Sequence, residues 1–203
     1  MFDRDPIEYL IVLAAVLPSL TIHEFAHAWT AYKFGDDTAK NLGRLTLNPI
    51  AHIDLFGTII LPLIARFGYA KPVPVNFSIL NRGQILLVAI AGPLSNILLA
   101  IVLTMFFHVL PLQKIPYVGF FLLIAILLNI VFAVFNLIPI PPLDGSRIVY
   151  ASLKSEQAIK MYKYYSGFGM LILIGLLIFG GFGYIIQPVV KIFFDLFKLH
   201  SLF

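Results

Sequence analysis

Apolar residues run along this chain in blocks too long and too continuous for a soluble fold. Four blocks stand out, Ile7 to about Lys33, Gln84 to about Leu110, Tyr117 to Ile138, and Tyr165 to about Ile186. Each exceeds the roughly 20 residues that an α-helix needs to cross a bilayer core. A fifth block, Ile53 to Ala65, is too short for a full crossing and predicts a re-entrant or interfacial piece. The tail after Pro188 sets Lys191, Asp195 and Lys198 among apolar residues, the pattern of an interfacial amphipathic helix or a second short crossing.

Polar punctuation separates the blocks. Residues 34–52 carry Gly35, Asp36, Asp37, Asn41, Gly43, Asn48 and Pro49, which is turn chemistry. In Lys71-Pro72-Val73-Pro74-Val75-Asn76 each proline restricts itself and its predecessor, so the segment is extended. Three prolines in Pro139-Ile140-Pro141-Pro142 end the third block. The expected fold is therefore an all-α integral membrane protein forming one domain over residues 1–203. It has about four transmembrane helices, a short re-entrant segment, and a small strand-like region between the first two spans.

Composition agrees. Of 203 residues 60% are hydrophobic and 12% charged, where soluble domains carry about 25% charged, and the mean hydropathy is +0.96. A net charge of +4 in such a chain reads as basic loops facing anionic lipid, and nothing suggests nucleic-acid binding. Arg4 lies between Asp3 and Asp5, so the first block lacks the basic flank of a signal peptide and is expected to stay as a helix. The absence of cysteine excludes disulfides, thiolate catalysis and cysteine-type zinc sites.

The chemistry is concentrated in His23-Glu24-Phe25-Ala26-His27, an H-E-x-x-H pattern inside the first block. Residues four apart on a helix lie about 40° apart around its axis. His23 and His27 therefore share a face and can reach one Zn²⁺, while the adjacent Glu24 can move a proton to and from water at the metal. A packed pair of helix histidines is the plain alternative. It weakens in a membrane span, where three ionisable groups need a common reason. A catalytic zinc takes one more protein ligand. His52, Asp54, His108 and Asp144 are the candidates near apolar segments, and Asp144, after the prolines and before Gly145, has the best context. Asp144 also reads as the N-cap of a helix over 146–153.

HEFAH in a membrane span followed by Asn136-Leu137-Ile138-Pro139-Ile140-Pro141-Pro142-Leu143-Asp144-Gly145 resembles the site-2 protease family of intramembrane metalloproteases. Gly43-Arg44-Leu45-Thr46-Leu47-Asn48-Pro49, His52-Ile53-Asp54, Ala70 to Asn76 and Ala91-Gly92-Pro93-Leu94-Ser95-Asn96 fit the same pattern, so the likeness runs from about residue 15 to 150. The resemblance implies one Zn²⁺ per chain on His23, His27 and Asp144, with Glu24 as catalytic acid and base. It also implies that Asn136 lies by the site, holding substrate or the oxyanion. PDZ and cystathionine-synthase-type domains of larger members have no counterpart, which suggests a minimal member.

Topology is constrained independently. His23 and Asp144 can meet only if an even number of crossings separates their spans, which the second and third blocks supply. The loops on that side hold ten of the fourteen basic residues, among them Lys33, Arg44, Lys71, Arg82 and Arg147. The positive-inside rule places them in the cytoplasm, with the active site nearer that face, and a prokaryotic cell membrane is the expected location. A membrane-protein substrate must be unwound before cleavage, and segment 68–80 or 44–50 is expected to pair with it, through residues such as Val75 and Asn76. Plainer roles are expected elsewhere. Ala91 to Asn96 packs helices, with Asn96 reaching toward the site; His52 and Asp54 anchor 53–65; His108 sits at the interface; Gly180, Gly181 and Gly183 bend the last span or offer a homodimer face. A lipid or amide hydrolase and a metal-ion carrier are the competing functions.

Overall fold

The hydrophobic blocks fold as helices because no other backbone satisfies its own polar groups in hydrocarbon. The computed structural model describes residues 6–53, 71–111, 115 and 117–199. The first helix, α1 (Pro6–Lys33), is followed by a short α2 (Thr38–Asn41) and a 3-10 turn at Pro49–His52. After residues 71–81 come α3 (Arg82–Val109), α4 (Val118–Leu137), α5 (Asp144–Ser152), α6 (Glu156–Ser166), α7 (Gly169–Ile178) and α8 (Gly181–Leu196). By length and composition α1, α3 and α4 can each cross a membrane, and α6 with α7, bent by 53°, make a possible broken fourth span.

Local chemistry sets the ends. Asn81 accepts from the Gln84 backbone and Gln84 returns the bond to the Asn81 backbone, a reciprocal cap that starts α3. Within α1, Ser19 and Thr21 turn their hydroxyls onto the carbonyls of Ala15 and Leu17, each at 2.7 Å, so neither faces the apolar surroundings unpaired.

The block 165–186 departs from the single span expected. It breaks after Ser166 and again at Gly180, whose φ of +70° lies in the left-handed region that glycine tolerates. The tail does not begin a helix of its own. Pro188 lies inside α8, and α8 runs along α4. Phe182 meets Phe135 near one end, while Phe194 and Leu199 pack with Phe107 and Leu122 near the other.

The strand-like region between the first two spans does not form. Residues 71–76 pair with no strand among the described residues. Their backbone donors go elsewhere, Lys71 to the His52 carbonyl and two others to carboxylates described below. With Pro72 and Pro74 lacking N–H groups, one edge of the segment is stripped of ladder donors. The expected re-entrant piece at 53–65 lies outside the described residues, apart from Ile53.

Two packed regions hold the spans. Ala100, Phe107, Leu122, Ile126 and Ile130 join α3 to α4 in one. Ala31, Leu80, Ile85 and Val88 join α1 to the start of α3 in the other, and Val75 and Tyr150 lie against it. The second region brings 71–81 and α5 onto the same end of the bundle as the last turns of α1.

Candidate metal centre

His23 and His27 leave α1 on one face and meet Asp144, at the first position of α5, from 117 residues away in sequence. His23 Nε2 and His27 Nε2 are 3.1 Å apart. Asp144 Oδ2 stands 3.2 Å from the first and 3.1 Å from the second. The Asp144 side chain therefore does not cap α5: the N-cap position falls to Leu143, and no side chain caps the helix. Of the four candidates for a third ligand, Asp144 is the one placed beside the histidine pair among the described residues. The two readings open at the sequence level are separated by this geometry.

The rest of each imidazole fixes what its Nε2 can do. His27 Nδ1 lies 2.7 Å from the Val88 carbonyl, which can only accept, so Nδ1 carries the proton. His23 Nδ1 lies 2.6 Å from Asn96 Oδ1. The orientation of that amide is set by its other end, since Asn96 Nδ2 donates to the Ser19 carbonyl at 3.1 Å and to Asn129 Oδ1 at 2.7 Å. Asn129 in turn donates to the Ser19 hydroxyl and to the Ala125 carbonyl, both at 2.8 Å. A backbone carbonyl at the end of this relay thus assigns the His23 tautomer as well. Both Nε2 atoms present lone pairs.

Three acceptors facing one another at 3.1–3.2 Å repel unless a cation lies among them. Tetrahedral ligands about 2.0–2.1 Å from zinc stand about 3.3 Å from each other, so the residues present fit the ion. Gly92 supplies the space. A β-carbon there would overlap His27 Nε2 and crowd two atoms of the His23 ring. The Ala91–Asn96 stretch thus does more than pack helices, since its glycine backs the two imidazoles and its asparagine holds His23.

Glu24 is half-buried on the neighbouring face of α1, and its Oε2 accepts the Val73 N–H at 2.7 Å. The segment bearing Val73 is fixed at both ends. Buried Arg44 donates to the Lys71 carbonyl at 2.6 Å, and Asp36 Oδ2 accepts the Asn76 N–H at 2.7 Å. Burial would raise the Asp36 carboxyl, but hydrogen bonds from the Thr38 hydroxyl and from the Asn76 and Thr38 backbones outweigh it and hold the group below its ordinary value.

The remaining expected residues fall in several places. Val75 packs inward against the α1–α3 contact. Asn76 takes Ser78 onto its side-chain oxygen, closing a turn. Asn136, in the last turn of α4, donates to its own helix at Phe132. Buried His52 anchors the Thr46 carbonyl at 2.8 Å and stands outside the metal group, and Asp54 lies outside the described residues. His108 meets the Phe197 carbonyl and ties α3 to the end of α8. Asp36, Arg44 and Asn129 were not singled out by sequence as site residues. Their signals, polar residues in a turn or a span, were visible without their partners.

A bundle of apolar helices with a buried His–His–carboxylate group and a glutamate next to the first histidine defines a membrane-embedded metallopeptidase type of site. The sequence profile of peptidase family M50 matches residues 11–120 and 111–179, and the chain belongs to that family. It is 48% identical over 150 residues to YwhC of Bacillus subtilis, a match covering 70% of this chain and 67% of that one. Rip2 of Mycolicibacterium smegmatis is 34% identical over 160 residues, covering 73% and 59%. MJ0392 of Methanocaldococcus jannaschii is 28% identical over 179 residues, covering 87% and 44%. All three carry the words zinc metalloprotease in their names, and the chain spans less than two thirds of the last two. No solved structure matches.

Proposed function

We propose that this chain is a zinc-dependent endopeptidase that hydrolyses peptide bonds of membrane-protein substrates within or at the edge of the bilayer. The observation that carries the reading is the convergence of His23, His27 and Asp144 on one point beside a glutamate held by the 71–76 segment. The two imidazoles and the Asp144 carboxylate would hold the ion. Bound zinc supplies a Lewis acid that polarises a carbonyl and lowers the pKa of a water. Glu24 takes the proton from the attacking water and returns it to the leaving amine. Its Oε1 has no partner among the described residues, and Val73 holds the other oxygen in place.

The 71–76 segment also supports a route for substrate. In an extended chain alternate residues direct N–H and C=O to the same side, so Val73 and Val75 turn one edge toward Glu24. The opposite edge is blocked by Pro72 and Pro74. A substrate strand pairing beside Val75 would bring its scissile bond toward Glu24 and the metal group, with Asn76 next along the same segment. Asn136, at the end of α4, is carried over from the family likeness as a further substrate-holding residue. Neither a lipid hydrolase nor a metal carrier needs this combination of an adjacent glutamate and a fixed peptide edge. The basic loops on the site-bearing side support a placement near the cytoplasmic face of a cell membrane.

Zinc content and cleavage of a membrane-anchored substrate, measured on the same purified protein, test the reading. Wild type is expected to hold about one zinc per chain. Glu24→Gln is expected to keep the metal and lose cleavage, whereas His23→Ala and Asp144→Ala lose both. Full cleavage by Glu24→Gln would overturn its role, and unchanged zinc in Asp144→Ala would remove it from the ligand set.

A further inference from the structure

The end of the bundle that carries the metal group also carries a cationic pocket that the peptidase reading does not use. Arg147 lies one helical turn beyond Asp144 on α5, half-buried, with its guanidinium carbon 3.8 Å from the centre of the Phe77 ring. It has no ion pair or hydrogen bond among the described residues. Beside it opens a cavity of about 360 Å³ that Lys163 of α6 also lines, with Ser78, Tyr150 and Tyr162 adding hydroxyls. Among the described residues no carboxylate lines it. The nearest opposing charge, the Asp144 carboxylate, attracts the guanidinium from outside the cavity but is engaged with the two imidazoles. Two cations on one cavity repel unless an anion lies between them, so the pocket is built for an anion.

Depth identifies which anion. Ile85, in the first turn of the membrane-spanning α3, forms part of the wall, so the pocket sits where that span leaves the apolar core. This is the level of lipid headgroups, where tyrosines are enriched. The neighbouring α6, bent by 53° from α7, leaves Met161 and Tyr164 74% and 75% exposed beside Lys160 and Lys163, the mixed surface of the part of a broken span that lies at the headgroups. A headgroup fits a cavity of this size.

We propose that this pocket binds the phosphate of an anionic phospholipid headgroup between Arg147 and Lys163. The lipid joins α6 to α5 and so braces the helix that presents Asp144. Phosphate is the group recognised: the guanidinium offers it a planar pair of donors, and the ammonium a point charge. The site stands independently of cleavage, so the two readings fail separately.

The test uses the full chain reconstituted in vesicles of mixed phosphatidylcholine and phosphatidylglycerol, then extracted in mild detergent. Mass spectrometry counts the lipid retained. Wild type is expected to retain phosphatidylglycerol in preference to phosphatidylcholine. Arg147→Gln and Lys163→Gln are each expected to weaken that preference about fivefold. Lys163 is exposed, so its variant reports on binding even if the packing of Arg147 over Phe77 is needed for folding. Lys160→Gln, on the same helix but off the pocket, is expected to leave the preference unchanged. An equal loss in Lys160→Gln would mean diffuse attraction to a charged surface and would overturn the proposal. So would unchanged preference in Lys163→Gln. Inorganic phosphate that displaces the lipid at matched concentration would place the ligand in water and overturn the lipid assignment.

Discussion

Gly92 of α3 backs His27 so closely that a β-carbon at position 92 would occupy the same space as the His27 Nε2 atom. The imidazole cannot withdraw, because its other nitrogen is held by the Val88 carbonyl. Gly92→Ala is therefore expected to insert properly yet bind zinc on the order of tenfold more weakly or worse, as overpacking at a fixed site does. Zinc titration of the purified variant checks this. Wild-type affinity would show that α1 and α3 separate more readily than their packing implies.

The relay from Ser19 through Asn129 and Asn96 holds the His23 tautomer rather than touching substrate. Removing a partner of this kind weakens metal affinity by roughly 10–100-fold. Asn96→Leu, which keeps the volume but loses the acceptor, is expected to fall in that range. Asn129→Leu is expected to act in the same direction but more weakly, because the Ser19 carbonyl still orients Asn96. Zinc affinity that is equal in both variants and wild type would mean the relay serves helix packing alone. Interhelical hydrogen bonds in membranes contribute only about 0.6 kcal/mol each on average, so a large metal effect with a small stability effect is the distinguishing signature.

The Val73 donor to Glu24 can be removed without touching the carboxylate. Val73→Pro extends an already proline-rich, extended segment and deletes the N–H. Zinc content is expected to stay at the wild-type level while the rate of substrate cleavage falls about tenfold, the scale of losing one charge-assisted hydrogen bond. Retained cleavage would show that Glu24 is positioned by other means.

Asp36 gives a pH signature outside the membrane. Its folded pKa lies below its ordinary value of 3.8. Its stabilising contribution is therefore complete above that value and fades as pH falls through the lowered folded value. Asp36→Asn is expected to melt lower than wild type at neutral pH, and the gap is expected to close in acid. Melting curves at several pH values measure this, and a gap independent of pH would show that the carboxylate charge is not what holds Asn76.

Much of the site could be read from sequence because its ligands obey local rules. His23 and His27 declare a shared face by their spacing, and the apolar surroundings made three ionisable groups there conspicuous. Asp144 could be placed in a cavity by its prolines and glycine, but whether its carboxylate capped a helix or met the imidazoles depended on contacts 117 residues away. Asn129 gave little warning, since a lone asparagine in a span declares no partner. The extended segment 71–76 was legible from its prolines, but not its destination. The expected strand-like region forms no ladder, and its backbone donors go to Glu24, Asp36 and the His52 carbonyl, which come from distant turns of the chain. The last hydrophobic block looked continuous because Gly180 is apolar by composition, although its backbone permits the break.

Asp144 arrives late in the chain. A ribosome that has delivered α1 has made both imidazoles and the glutamate, but the carboxylate that closes the triangle follows only after α3 and α4 have been threaded into the bilayer. The His–His–Asp group thus closes only after α3 and α4 have been made and packed, so its formation waits on the assembled bundle.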